Sequence, residues 1–191
     1  MTQVKHVGQK IAGLRELRTI SAEELAGRCG IDVGVLKAIE EGNDPPALAV
    51  LIKLARALGV RLGTFLDDTD VDTPVVTRSG EERAGMSISG KSPGAHTHLE
   101  FYSLASGKAG RHMEPFVIII DPSTGDEYTR SSHEGEEFLY VLEGRIEILY
   151  GKKSYILQAG DSIYYDSLIE HHVHSAGNEA AKILAVVYAP F

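Results

Sequence analysis

The chain has 191 residues, 43% of them hydrophobic and 24% charged, with a net charge of −8 and one cysteine. That length suits two small domains, and the hydrophobic fraction supplies ordinary cores, which excludes a disordered chain. The longest aliphatic run, 117–120, is far too short to span a bilayer, no signal-peptide pattern opens the chain, and a lone cysteine permits no intramolecular disulfide. A cytoplasmic protein without membrane contact is expected, with Cys29 a small buried helix residue.

Charge is unevenly spread. Residues 1–66 carry nine Lys+Arg against seven Asp+Glu, whereas residues 67–191 carry ten against twenty. The second half repels phosphates, so a nucleic acid partner would meet the first half.

In chain order, Val7, Ile11, Leu14 and Leu17 recur at helical spacing and predict a first amphipathic helix. Ser21 followed by Glu24 forms a capping box that opens a second helix, and Gly30 ends it by taking the left-handed conformation of a tight turn. Asp32 caps a third helix through Ile39, closed by residues 42–46. A fourth helix carries Leu48, Leu51, Ile52, Leu54 and Ala55, and a short turn covers 62–66. Helix, glycine turn, helix is the helix-turn-helix pattern. An acidic, proline-containing linker over 67–75 then separates a helical domain at 1–66 from a second domain at 76–191.

Beyond the linker, apolar residues come in short β-prone runs at 101–104, 116–120, 138–142, 146–150, 163–165 and 183–188, with turn residues between them. Strands at this spacing predict an all-β sandwich or small barrel. The segment from Ser131 to Gly144 places His133 four residues before Glu137, and His171, His172 and His174 follow downstream. Two imidazoles and one carboxylate hold a divalent ion while leaving coordination positions free. In a straight strand His133 and Glu137 would lie about 13 Å apart, so the chain must bend at 134–136 for them to share an ion. His172 and His174 fall on the face opposite His171. The competing reading keeps the three as hydrogen-bonded polar residues of a pocket without metal. His96-Thr97-His98 reads as a solvated loop before a strand.

Two family resemblances sharpen these readings. Residues 7–66 resemble the Cro/C1-type (XRE) helix-turn-helix domain, through Arg15 and Arg18, Glu24-Leu25-Ala26, Gly30, Ile39-Glu40, and 51–58 followed by Gly59-Val60. The resemblance implies a face toward double-stranded DNA made of Arg15, Arg18, Ser21, Ala22, Arg28, Asp32, Val33, Gly34, Lys37 and Ala38, with Lys53 a further phosphate contact. Val33, Gly34, Lys37 and Ala38 stand at the base-reading positions, and only Lys37 carries a hydrogen-bonding side chain. A homodimer on a near-palindromic operator is expected.

Residues 99–191 resemble the cupin superfamily. Ser131, His133, Glu137 and Gly144 stand at the places of its first motif, with serine for the first histidine. The segment 160–165 opens the second motif, and Glu170-His171 stands where the family has a Pro-His pair. The resemblance implies a jelly-roll barrel with His133, Glu137 and His171 as ligands of iron, manganese, nickel or zinc, and with Tyr102, Ser131 and Tyr140 in the ligand pocket. The two domains together look like a one-component transcription regulator responding to a small-molecule effector. The alternative is an iron cupin enzyme like the hydroxypropylphosphonate epoxidases, which join the same two domains. Against that chemistry, Thr19 stands where their catalytic lysine aligns, so a regulator rather than an enzyme is expected.

Overall fold

The computed structural model describes residues 3–67, 74–80, 83–92, 95–108, 110–122 and 128–190. Of the linker expected over 67–75, residues 68–73 lie outside that set. The first part is helical: α1 (Gln3–Leu17), α2 (Ala22–Cys29), α3 (Val33–Glu40), α4 (Leu48–Ala57) and α5 (Gly63–Leu66). Local chemistry explains each boundary between α2 and α3. Ser21 Oγ accepts from the Glu24 amide at 3.1 Å, Gly30 ends α2 at φ +63°, and Asp32 accepts from the Gly34 amide at 2.7 Å. Only half of the expected capping box forms, because Glu24 turns its carboxylate to Arg28 at 2.6 Å.

Val7, Ile11, Leu25, Leu36, Ile39, Leu51, Leu54 and Phe65 are buried together and form the helical core. Each such side chain contributes on the order of 2 kcal/mol relative to exposure. Cys29 is buried among them, where burial pushes its thiol up from its ordinary range. Leu17, expected on the apolar face, is 78% exposed: it is the last residue of α1 and lies beyond the core.

The second part is β structure. One antiparallel sheet runs in the order β1 (Arg83–Ser92), β2 (Ala95–Ser103), β3 (Met113–Ile120), β9 (Ala181–Tyr188), β4 (Glu136–Glu143) and β7 (Ser162–Asp166). The other runs β6 (Lys153–Gln158), β5 (Arg145–Tyr150) and β8 (His171–Ser175). In β3 and β9 every second residue is buried, the period of strands with one face in a core. Three strands, β1, β6 and β8, were not expected. β6 exposes nearly every residue and β8 is mostly histidine, so neither shows a readable apolar alternation. His96 and His98, expected in a loop, lie in β2.

Charged contacts tie the two parts together. Arg111, just before β3, pairs with Asp67 at the end of α5 and donates through Nε to Glu114 at 2.7 Å. All three side chains are buried. Arg56 of α4 pairs with Glu134, at the entrance to β4.

Candidate functional site

The triad assembles because the backbone folds back before β4. Gly135 has φ +114°, and a Cβ there would lie 1.9 Å from the Tyr188 carbonyl oxygen, so no larger residue fits. This is the bend that the His133–Glu137 spacing requires. Upstream, Ser131 and His171 exchange backbone hydrogen bonds of 3.0 and 2.9 Å. The His133 amide donates to the Ser167 carbonyl at 3.0 Å, and the Ser167 amide donates to the Gly135 carbonyl at 2.9 Å. The segment 131–135 is thereby stitched to the β7–β8 connection, and His133 faces the first residue of β8.

His133, Glu137 and His171 are all buried, and their ligand atoms lie within 4.8 Å of one another. Glu137 Oε1 sits 2.7 Å from His133 Nε2 and 3.5 Å from His171 Nε2. The other nitrogen of each ring is occupied: His133 Nδ1 lies 3.1 Å from the Glu134 carbonyl and His171 Nδ1 2.8 Å from the Ile169 carbonyl. A ring that donates through Nδ1 to a carbonyl keeps the Nε2 lone pair for an ion, which is how protein imidazoles are oriented toward metals. The donor set fits a divalent transition metal.

Tyr165 completes the arrangement and was missed by sequence reasoning. Its hydroxyl donates to Glu137 Oε2 at 2.5 Å, and its ring packs 5.1 Å from His171 and 5.3 Å from Tyr150. The signal was strand alternation at Tyr164-Tyr165: Tyr165 is 5% exposed and its neighbour 62%. Burial by itself would raise the Glu137 carboxyl, but hydrogen bonds and positive charge from His133 and His171 outweigh it and hold the group far below the usual carboxylate range. Against the cost of burial, bonding and charge from Glu137 raise His171; burial and Glu137 together push the Tyr165 hydroxyl well above 10.

The triad lines a cavity of about 500 Å³, together with Ser131 and aliphatic side chains of both sheets. Two expected pocket residues do not line it. Tyr102 alternates with buried Phe101 on β2 and donates its hydroxyl to Glu100 at 2.8 Å; Tyr140 alternates with Leu139 and Val141 on β4 and is 38% exposed. Both strands run as expected, but these tyrosines take the outer face. His172, which also lines the cavity, and His174 stand outside the ligand set and stack on Tyr128 with centroids at 4.8 and 4.0 Å. Burial and the neighbouring imidazole push His172 down to about 4.

On the helical part, Gly34 and Lys37 are exposed on α3, while Val33 and Ala38 are half-buried. Ser21 and Asp32 serve as caps, with Ala22 half-buried beside Ser21. Four of the basic residues expected to meet DNA, Arg15, Arg18, Arg28 and Lys37, have partners within the chain. Lys37 lies 3.2 Å from Glu23, Arg28 2.6 Å from Glu24, and Arg18 donates to the Leu14 carbonyl at 3.4 Å. Arg15 holds Glu40 with two bonds of 2.7 and 2.8 Å and is only 14% exposed, so it braces α1 against α3. None of the described helices is long and apolar enough to cross a membrane.

Comparison with known proteins agrees with this architecture. Residues 11–65 match the helix-turn-helix family, and residues 116–187 match the cupin domain family. The chain is 26% identical over 185 residues to the HTH-type transcriptional regulator PuuR of Escherichia coli, covering 95% of this chain and 92% of that protein. It is 27% identical over 184 residues to (S)-2-hydroxypropylphosphonic acid epoxidase of Streptomyces wedmorensis, covering 90% of each. An HTH_3 family transcriptional regulator from Vibrio cholerae has the same fold over the full length of both chains, with a TM-score of 0.68 at 22% identity. With the helical reader in front and the cupin barrel behind it, the chain belongs to the family of helix-turn-helix transcriptional regulators that carry a cupin domain.

Proposed function

We propose that the chain is a transcription regulator whose cupin domain senses a small molecule beside a divalent metal held by His133, Glu137 and His171. The observation that carries this reading is the buried triad on the wall of a cavity of about 500 Å³, in a chain that also has a helix-turn-helix domain. An iron, manganese, nickel or zinc ion held there would act as a Lewis acid that fixes a polar head of the effector. Tyr165 holds the Glu137 carboxylate in place, and the aliphatic walls keep water from competing. Two copies acting on a near-palindromic operator would give the reach that one short recognition helix lacks.

Val33, Gly34 and Ala38 offer no base-edge hydrogen bonds, so affinity rests on phosphates and DNA shape. Lys37 must leave Glu23 to contribute. The test is a gel-shift titration across a salt series, with and without a chelator, on a footprinted site and on scrambled DNA. Wild type should discriminate between the two and lose affinity steeply with salt. Lys37→Ala should weaken both DNAs by similar factors if Lys37 meets phosphate, or relax one base position if it reads guanine. Wild type that shows neither discrimination nor salt-dependent binding at micromolar protein ends this reading.

One observation favours a second reading, an iron enzyme: the likeness to the epoxidase covers nine-tenths of both chains, and a two-histidine, one-carboxylate set is present. Against it, Thr19 is exposed where the catalytic lysine would stand, and the described residues lining the cavity include no lysine. Consumption of 2-hydroxypropylphosphonate by the iron-loaded protein, followed by phosphorus NMR, would bring the enzyme reading forward.

A further inference from the structure

The cavity is not walled by the barrel alone. Part of its lining comes from the helical domain: Val35 and Ile39 of α3, then the connection and first residues of α4 from Asp44 to Val50. Pro45 and Pro46 stiffen that connection and remove two backbone donors, so its surface toward the cavity is rigid and apolar. Val35 is 43% exposed and lies on the flank of α3, between the core residues Leu36 and Ile39 and the exposed Gly34 and Lys37. Arg56 of α4 pairs with Glu134, the residue after His133, and holds the helical wall against the site.

We propose that the helical domain is one wall of the effector site, so that a ligand is enclosed between the barrel and the recognition helix, and that this ligand is a small aliphatic molecule with a single anionic head. The proposal rests on the reading of the cupin domain as a sensor. A cavity of this volume takes a molecule of ordinary metabolite size. A divalent ion held by one carboxylate keeps net positive charge, which favours an anionic head. The described lining has no lysine or arginine, and Asp44 on the helical wall repels a second anionic group, so one head is the limit. The consequence is direct coupling: the ligand touches the same helix that presents Gly34 and Lys37 to DNA.

The chain has no tryptophan, so Ala47→Trp, at an exposed position of the helical wall, places a single indole there. The probe is 8-bromooctanoate, whose bromine quenches indole on contact, added to full-length protein in zinc-containing buffer. Saturable quenching of more than half, reversed by octanoate, is expected. Adding Arg56→Glu, which sets two carboxylates against each other, should raise the half-saturation at least fivefold with zinc content and far-UV dichroism unchanged. Quenching no greater than that given by bromoacetate, or affinity untouched by Arg56→Glu, overturns the helical wall. If calorimetry then still shows octanoate binding that His171→Ala abolishes, the sensor reading survives and only the wall falls. If octanoate does not bind by calorimetry at all, the anionic aliphatic class is overturned, while the gel-shift series judges the regulator reading separately.

Discussion

Replacing Tyr165 by Phe isolates one hydroxyl in the centre of the candidate site. The ring and its packing against His171 and Tyr150 stay; what is lost is the 2.5 Å bond to Glu137 Oε2. Donor and acceptor are 5% and 7% exposed, so no water replaces the missing partner cheaply. A buried hydrogen bond to a charged group contributes about 1.5–3 kcal/mol, and the metal-free variant should lose about 2 kcal/mol of unfolding free energy at pH 7. Because the folded carboxyl of Glu137 lies below its ordinary value of 4.5, its contribution is present above that value and fades as pH falls. The unfolded carboxyl is the same in parent and variant, so the gap between them should persist in urea melts through the ordinary carboxylate range and close only as pH falls through the lowered folded-state value. Outer partners of this kind also orient a metal ligand, and zinc affinity in competition with a chromophoric chelator should fall roughly 10–100-fold. Unfolding free energies within about 0.5 kcal/mol of each other at pH 7, together with equal zinc affinity, would refute the reasoning and leave Tyr165 a packing residue.

The same structure sets further expectations. His133→Ala or His171→Ala should sharply lower metal content measured by plasma emission spectrometry, while His172→Ala, whose ring stacks on Tyr128 away from the triad, should change it little; equal loss in all three would remove the assignment. Arg111→Met leaves Asp67 and Glu114 buried without their cation and should cost about 3–5 kcal/mol in denaturant unfolding, a loss below about 1 kcal/mol showing that the cluster is open to water. Gly135→Ala forces a left-handed residue and a clash with the Tyr188 carbonyl, so it should destabilise the protein by at least about 2 kcal/mol and reduce metal binding in the fraction that folds. Wild-type stability and metal affinity in that variant would mean that the bend is made another way.

Much of the fold was legible because its signals are local. Ser21, Gly30 and Asp32 act on amides within three residues of themselves, and the structure has each in the expected role. The strands with an apolar run were found, while β6 and β8 were not, because strands carrying polar residues on both faces show no period of two that a reader can detect. Reciprocal capping by Glu24 failed for a competitive reason. Arg28 one turn on offers a charged partner, and a carboxylate prefers that to a second amide.

The site divides along the same line between local and distant causes. His133, Glu137 and His171 were readable as a set from residue type and spacing, and the required bend at 134–136 followed from strand rise alone. Which tyrosines join them depended on register. Tyr102 and Tyr140 sit one residue out of phase with the inner face of their strands, whereas Tyr165 sits opposite Glu137 across the β4–β7 pair. A shift of one residue exchanges the two faces of a strand, so aromatic content near a motif cannot decide membership without the pairing partner. The same limit applies on the helical side. Arg15 looked like a phosphate contact by family position, but Glu40, 25 residues away, claims it with two hydrogen bonds. Lys37 and Arg28 differ from Arg15 in degree of burial: their partners Glu23 and Glu24 are exposed, and water screens such pairs so that they contribute little. DNA phosphates would take these two cations from their partners more readily than they would take the part-buried Arg15, which braces α1 against α3.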